Sequence, residues 1–414
     1  METRRLELEL LAHAGRLLLE YNESSGEIRR TLTATAKSLT DEPCHVIVSY
    51  GSVAVSLGPE GPVVMSAPEL RFNMAVQASV HSILDRVRHG DLEPSTALAL
   101  LSRVEADAPR HSRWLVVMML GMAAASLAGL LGADAGAAAT AGVATGLGLL
   151  GRQELGRRHF SLLMLPFIAG LIGAVCGGLA IRWGWTRTPG LVLIVPSLIV
   201  VPGPHFINGL LDLVDNFVPM GVFRLALALG LVTAAALGVV IGVELILGGF
   251  PTAEQGRHGL RLNLLLDLLL AGIVTCGFAA AYNTAWRHLA MAAAGGMAGH
   301  GLRYLALEAG WRLDAATLLG GLGVGVVSAL IARRSKTPVA VIAYAGAVTM
   351  MPGLPIYQSL GGALQLARLR AADDSPLIAE TLGNALQACL VVGALAVGLL
   401  VAVRAVQLVA SDRE

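Results

Sequence analysis

Apolar positions along this chain follow three different rhythms. Near the start they recur every three to four residues, first as Leu6, Leu10, Leu11, Leu17 and Leu18, then as Ile28, Leu32, Ala36 and Leu39. That spacing predicts two amphipathic helices, the second over residues 25–39. After Pro43 the rhythm shortens. Residues 45–48, 52–57 and 62–66 are short and β-branched, separated by Gly51 and by the turn 58–61, which predicts an antiparallel meander. Helical spacing returns over 72–88 and 94–104. From Trp114 onward the polar phase disappears: 114–133, 160–181, 188–211, 225–243, 268–286, 315–332, 337–367 and 381–403 contain no Asp, Glu, Lys or Arg. Roughly 20 residues of helix cross a bilayer core, so each of these is a candidate span. Two shorter Gly/Ala-rich stretches, 135–151 and 289–302, cross only with close neighbours or re-enter; counting both gives ten passes.

Composition agrees with that division. Hydrophobic residues make up 55% of the chain and charged residues 14%, with mean hydropathy +0.68. The first 113 residues hold 12 of the 30 Lys/Arg and 15 of the 29 Asp/Glu. The expected organisation is therefore a small α+β cytoplasmic domain over 1–113, then five-helix transmembrane units over 114–250 and 251–414. The net charge of +1 divides without a strongly basic region, which argues against nucleic acid as a partner. No apolar signal segment precedes Trp114, so both termini are expected on the cytoplasmic side. Cys44, Cys176, Cys276 and Cys389 are far apart and read as small buried side chains. Residues 1–113 show no phosphate loop, nucleophile elbow or ligand cluster, and no cofactor or metal is expected. His45, Ser49 and Tyr50 could be imagined as a hydrolytic group, but strand alternation accounts for them.

The apolar region repeats itself. Arg187-Thr188-Pro189 precedes Pro202-Gly203-Pro204, and Lys336-Thr337-Pro338 precedes Pro352-Gly353-Leu354-Pro355; a polar residue follows each break, Asn208 in the first and the pair Tyr357-Gln358 in the second. Units of five helices would place the second copy upside down, the inverted repeat of secondary transporters. The loops 151–159 and 332–337 carry Arg152, Arg157, Arg158, Arg333, Arg334 and Lys336, which suits the cytoplasmic side. The outer loops of this topology also hold positive residues, Arg303 among them.

Proline lacks an N–H and clashes with the preceding turn, so the first broken helix should stop near Val201 and restart around His205. Its free N–H groups and positive end suit a carboxylate. Asn208 and Asp212, one turn apart, share a helix face, and Asp212 can meet an ammonium or carry a proton. Together these imply a zwitterionic substrate. Asp212, Asp267 and Glu244 are the acids within or bordering apolar runs and are the candidate proton carriers, Asp267 with Arg257 or Arg261 as its expected ion-pair partner. Arg224 is expected to pair with Asp212 or Asp215, and His205 to serve packing.

Pro202-Gly203, Asn208, Asp212-Leu213, Gly221 and Arg224 resemble the motif of the threonine/serine exporter family. The resemblance extends over nearly the whole chain, through Leu17-Leu18-Leu19-Glu20 and residues 24–30 at one end and the Pro352-Gly353 unit at the other. It implies a bacterial inner-membrane carrier, not an enzyme, that exports threonine and serine by proton antiport, surrounded by lipid and compatible with a homo-oligomer. The substrate contacts it implies are Asn208 and Asp212, with Pro202, Gly203, Pro352 and Gly353 shaping the site beside Tyr357 and Gln358. The family often carries a basic residue after that tyrosine; Gln358 stands there instead, which leaves room for a different substrate choice. A carrier for another small zwitterion or dipeptide is the alternative, and a membrane-tethered hydrolase the alternative of another class.

Overall fold

The computed structural model describes residues 2–59, 61–67, 70–249, 262–369 and 375–411. It opens with α1 (Glu2–Glu20) and α2 (Ser25–Leu39), then the strands β1 (Cys44–Ser49), β2 (Ser52–Leu57) and β3 (Val63–Ser66), and then α3 (Met74–Arg88) and α4 (Pro94–Ala106). The strands form an antiparallel meander in chain order, with Val46 opposite Val55 and Val53 opposite Met65. Alternation turns Val53, Val55 and Leu57 toward α1, where Leu10, Leu11, Leu17 and Leu18 join them in one core. That core also takes in Met220, and Tyr50 stacks on Phe223 with ring centroids 4.0 Å apart. The N-terminal layer is thus packed onto the helices that follow.

Those helices are α5 (Arg113–Leu130), α6 (Ala135–Arg157), α7 (Met164–Arg182), the pair α8 (Pro189–Leu198) and α9 (Gly203–Val214), α10 (Val218–Leu247), α11 (Leu264–Ala281), α12 (Trp286–Glu308), α13 (Leu313–Ser335), the pair α14 (Val339–Val348) and α15 (Gly353–Leu369), and α16 (Ser375–Ser411). Six of them, α5, α7, α10, α11, α13 and α16, are long and apolar enough to cross a membrane; the two pairs reach that mark together, bent by 62° and 52°. Exposed apolar side chains such as Met118, Leu229, Leu237, Leu386, Leu390 and Val397 line their outer faces, as lipid contact requires. Each of α6 and α12 has 23 residues, roughly 35 Å of helix, but is too polar for the same mark. Both run past the stretches expected from sequence. Arg303 consequently lies within α12 and not in an outer loop. The cysteines are less buried than expected: Cys44, Cys176 and Cys276 are half-buried and Cys389 is exposed on α16.

The two sets of five helices share one neighbour scheme. α7 packs on α10 as α13 packs on α16; α8 leans on α6 and α7 as α14 leans on α12 and α13; α9 lies along α10 as α15 lies along α16; and α5 meets α11 between the sets. At the start of α6, burial pushes the Asp134 carboxyl up, but the Thr188 and Thr186 hydroxyls and the Ala137 and Arg187 N–H groups outweigh it and hold the carboxyl well below the usual range.

The breaks themselves match. Pro202 has φ −80 and ψ 66, an inverse γ-turn, and the Gly203 N–H donates back to Val201 O at 2.8 Å. The Gly353 N–H donates to Met351 O, also at 2.8 Å. Gly203 rests on Val348, the end of α14, and Gly353 on Leu198, the end of α8, so each break is seated on the helix preceding the other. A Cβ on Gly203 would lie 2.5 Å from Val348 Cγ2, and one on Gly353 would lie 2.8 Å from Leu198 Cδ2. Two ties reinforce the crossing: Tyr357 OH donates to Ser197 O at 3.1 Å and Tyr344 OH donates to Asn208 Oδ1. Gly203→Ala should therefore overpack the crossing and cost about 1–3 kcal/mol, while Val348→Ala in the same chain should return most of it. Thermal unfolding of both variants in detergent measures this, and equal stability of Gly203→Ala and the unmodified chain would contradict the crossing.

Candidate functional site

The most constrained polar cluster sits where the N-terminal layer meets α9 and α10. Helix α1 ends in a turn with Asn22 left-handed at φ 64, a conformation that asparagine tolerates. The Glu23 N–H returns to Leu18 O at 2.9 Å and the Asn22 N–H to Leu19 O at 2.9 Å, the pattern of a Schellman cap. Ser24 then caps α2 by accepting from the Glu27 N–H. This turn aims the carbonyls of Asn22 and Glu23 and the N–H of Ser25 at the membrane helices.

What receives them is the face predicted to carry chemistry. Asn208 Nδ2 donates to Asn22 O at 2.6 Å. The Ser25 N–H donates to Asp212 Oδ1 at 2.7 Å and its hydroxyl to Asp212 Oδ2 at 3.1 Å. Arg224 Nη2 donates to Glu23 O, and its Nε lies 3.4 Å from Asp212 Oδ2. Asn208, Asp212 and Arg224 all have 0% exposure. Arg224 keeps Nε and Nη1 without a hydrogen-bond acceptor. Asp215, one turn on, faces Arg404 at 3.5 Å and Arg30 at 3.9 Å. A cavity of about 520 Å³ adjoins this cluster, lined by Glu23, Arg30, His81, Asp215, Lys336 and Tyr344 among others; His81 Nε2 is 3.3 Å from Glu23 Oε2.

A second cavity, of about 800 Å³, opens at the opposite end of the helices. Leu198, Val201, Val348, Pro352 and Gly353 of the crossing form part of its wall, and Gln358, Asp267, His300 and Arg303 face it. Asp267 Oδ2 lies 2.7 Å from His300 Nδ1. His300 and Arg303 are one turn apart on α12, and Arg303 Nε has no acceptor. Residues of α14 line both cavities, with Val339, Ala343 and Tyr344 in the first and Val348 in the second.

Several expectations are relocated by this geometry. The start of α9 at Gly203 and Asp212 are nine residues apart on one helix, about 14 Å, so one small zwitterion cannot touch both. Arg257 and Arg261, the expected partners of Asp267, lie outside the described residues; the observed partner is His300. Tyr357 is buried in a tie between helices, whereas Gln358 reaches the cavity. Glu244 lies in the last turn of α10 and lines neither cavity. His205 is buried, with its ring 5.0 Å from Phe72 edge-to-face. His45 and Ser49 are four residues apart on β1, roughly 13 Å, too far for a nucleophile and base. Among the described residues no group of three His, Cys, Asp or Glu could hold a metal. Sequence reading missed Asn22, Ser25, His300 and Arg303; for the last two, one-turn spacing in a Gly-rich helix was the available signal.

A family model described as a threonine/serine exporter matches residues 9–246, and a second, described as threonine/serine exporter ThrE, matches residues 267–405. No solved structure matches the chain. The first match alone spans more than half of the sequence and contains the whole Asn208–Asp212–Arg224 cluster. The chain belongs to the threonine/serine exporter family, and is a polytopic membrane protein of the amino-acid exporter type.

Asp212→Ala removes both acceptors of Ser25 and leaves Arg224 buried without its counter-charge. Breaking such a pair costs about 3–5 kcal/mol. The expected result is a lower unfolding temperature together with faster proteolysis of the N-terminal layer in detergent. Unchanged proteolysis would show that this cluster does not hold the layer in place.

Proposed function

We propose that the chain is a secondary active exporter of threonine and serine that works by proton antiport and alternating access. The observation that carries this reading is the crossing of two matched broken helices with a cavity carrying charged side chains at each end. Ten passes, with α6 and α12 also spanning, would make the repeat inverted, because each unit has an odd number of passes. The N-terminal layer and both termini then face the cytoplasm of a bacterial inner membrane, consistent with the basic residues of the last turns of α6 and α13, Arg157, Arg333 and Arg334, which lie within the helices and not in the loops expected from sequence.

On this reading the structure is closed at its cytoplasmic end, where Asn22, Glu23 and Ser25 occupy the polar groups of Asn208, Asp212 and Arg224. Withdrawal of that turn would free Asn208 and Asp212 for substrate. Rocking about Gly203 and Gly353 would then pass the substrate to the outer cavity, beside Pro352 and Gln358. Asp267 and His300 form the favoured proton carrier there. A carboxylate 2.7 Å from an imidazole can hold a substrate ammonium only while the imidazole is neutral, so protonation from outside would expel the ammonium outward. A pathway of this shape also fits another small zwitterion.

Counterflow of labelled threonine in proteoliposomes tests the reading. The unmodified chain should exchange threonine and accumulate it when a pH gradient is imposed. His300→Gln, which leaves the Asp267 carboxylate in place for the ammonium, should keep exchange but lose gradient-driven accumulation by about a hundredfold, the lower end of a single general-acid group's effect. Absence of threonine exchange in a folded sample would overturn the substrate assignment.

A further inference from the structure

We propose that Ser25 is a built-in copy of the substrate, and that free serine or threonine displaces the N-terminal turn by competing with it for Asp212. This rests on the exporter reading above and names how its cytoplasmic site recognises a hydroxy amino acid and how that site is kept shut.

Ser25 presents two donors to one carboxylate, its N–H to Oδ1 at 2.7 Å and its hydroxyl to Oδ2 at 3.1 Å. Free serine carries the same N–Cα–Cβ–Oγ framework, with an ammonium in place of the amide. Its ammonium and β-hydroxyl can therefore repeat both bonds, the first strengthened by charge. A carboxylate that merely capped α2 would need only the N–H; the hydroxyl bond is what distinguishes a β-hydroxy amino acid from alanine or valine. The chain continues from Ser25 where a free amino acid has its carboxylate, and Arg224 lies on the same Asp212 Oδ2 that accepts the Ser25 hydroxyl, with its Nη2 on the carbonyl of Glu23. Arg224 has 0% exposure, and its Nε and Nη1 lack acceptors. With Nε only in ion-pair range of Asp212 at 3.4 Å and Nη1 without a partner, this buried guanidinium is suited to a second carboxylate. Ligand and turn cannot occupy Asp212 together. Binding of the ligand thus requires that residues 22–27 leave, and with them the bond from Asn208 to Asn22 and the contact of Gly26 with Asp215.

The test is hydrogen exchange on the full chain in nanodiscs, read at the amides of residues 22–27, with L-threonine and its isostere L-valine compared at equal concentrations. Threonine should raise exchange there and valine should not. Ser25→Ala weakens the resident competitor by one charged hydrogen bond, so the threonine concentration for half-maximal exchange should fall about tenfold, whereas Ser25→Thr should stay within about twofold of the unmodified chain by retaining the hydroxyl. The comparison of threonine with valine needs no variant and stands if Ser25→Ala does not fold. Equal effects of the two ligands would overturn the proposal, as would an unchanged midpoint in folded Ser25→Ala. Threonine counterflow in proteoliposomes separates the outcomes. Counterflow with no change at residues 22–27 refutes the substrate copy and leaves the exporter reading standing; no counterflow and no change refutes both.

Discussion

A fully buried carboxylate governs this structure. Removing Asp212 from water is unfavourable unless its charge and lone pairs are compensated, and no single helix supplies the compensation. Ser25 comes from the N-terminal layer and Arg224 from α10, and the same layer is held again through Asn22 by Asn208, which Tyr344 of α14 fixes in turn. The cost of leaving any of these groups unpaired binds the N-terminal layer to both sets of membrane helices at one end. Where that end closes is therefore set by polar satisfaction, while apolar packing of Met220 and Phe223 against the layer adds area without direction.

The crossing of the broken helices works on different physics. Its contacts are apolar and close, possible because Gly203 and Gly353 have no side chain where Val348 and Leu198 lie. Such a junction has few hydrogen bonds to break when it rocks, in contrast to the saturated cluster around Asp212. Packed interfaces of this kind switch between discrete arrangements. A polar latch at one end and a close-packed apolar pivot between the cavities is the combination that the proposed alternating access requires. The Asp267–His300 pair at the far end places a carboxylate and an imidazole within hydrogen-bonding distance on the wall of the other cavity.

Much of this was legible in the sequence. Helix α2 and strand β2 fall where periodicity placed them, and the recurrence of basic-Thr-Pro before Pro-Gly located both breaks. The shared face of Asn208 and Asp212 follows from their spacing alone. Their partners do not, because Ser25 and Asp212 are 187 residues apart, and a carboxylate acceptor gives no sign of which donor it meets. Charge counting also hid Arg303. A window rejecting charged residues ends α12 at Leu302, although the helix continues to Glu308 with Arg303 facing a cavity between helices. In that setting a charge is tolerated, since the surroundings are protein and an open cavity, not lipid. The family motif, in contrast, singled out Asn208, Asp212 and Arg224, while their contacts with the N-terminal layer emerged only from the fold.

On the proposed mechanism, transport requires the N-terminal turn to leave the cluster at Asp212. A Cβ on Gly26 would lie 3.1 Å from Asp215 Cβ, close to the separation of about 3.5–4.5 Å that a disulfide spans. In a chain with Cys44, Cys176, Cys276 and Cys389 replaced, Gly26→Cys with Asp215→Cys should oxidise to a lock across this contact. Threonine counterflow by that variant in proteoliposomes, measured oxidised and then reduced, is the most direct measurement. Oxidation should abolish transport and reductant should restore it; equal rates in the two states, with the disulfide shown to have formed, would mean that the turn need not leave Asp212.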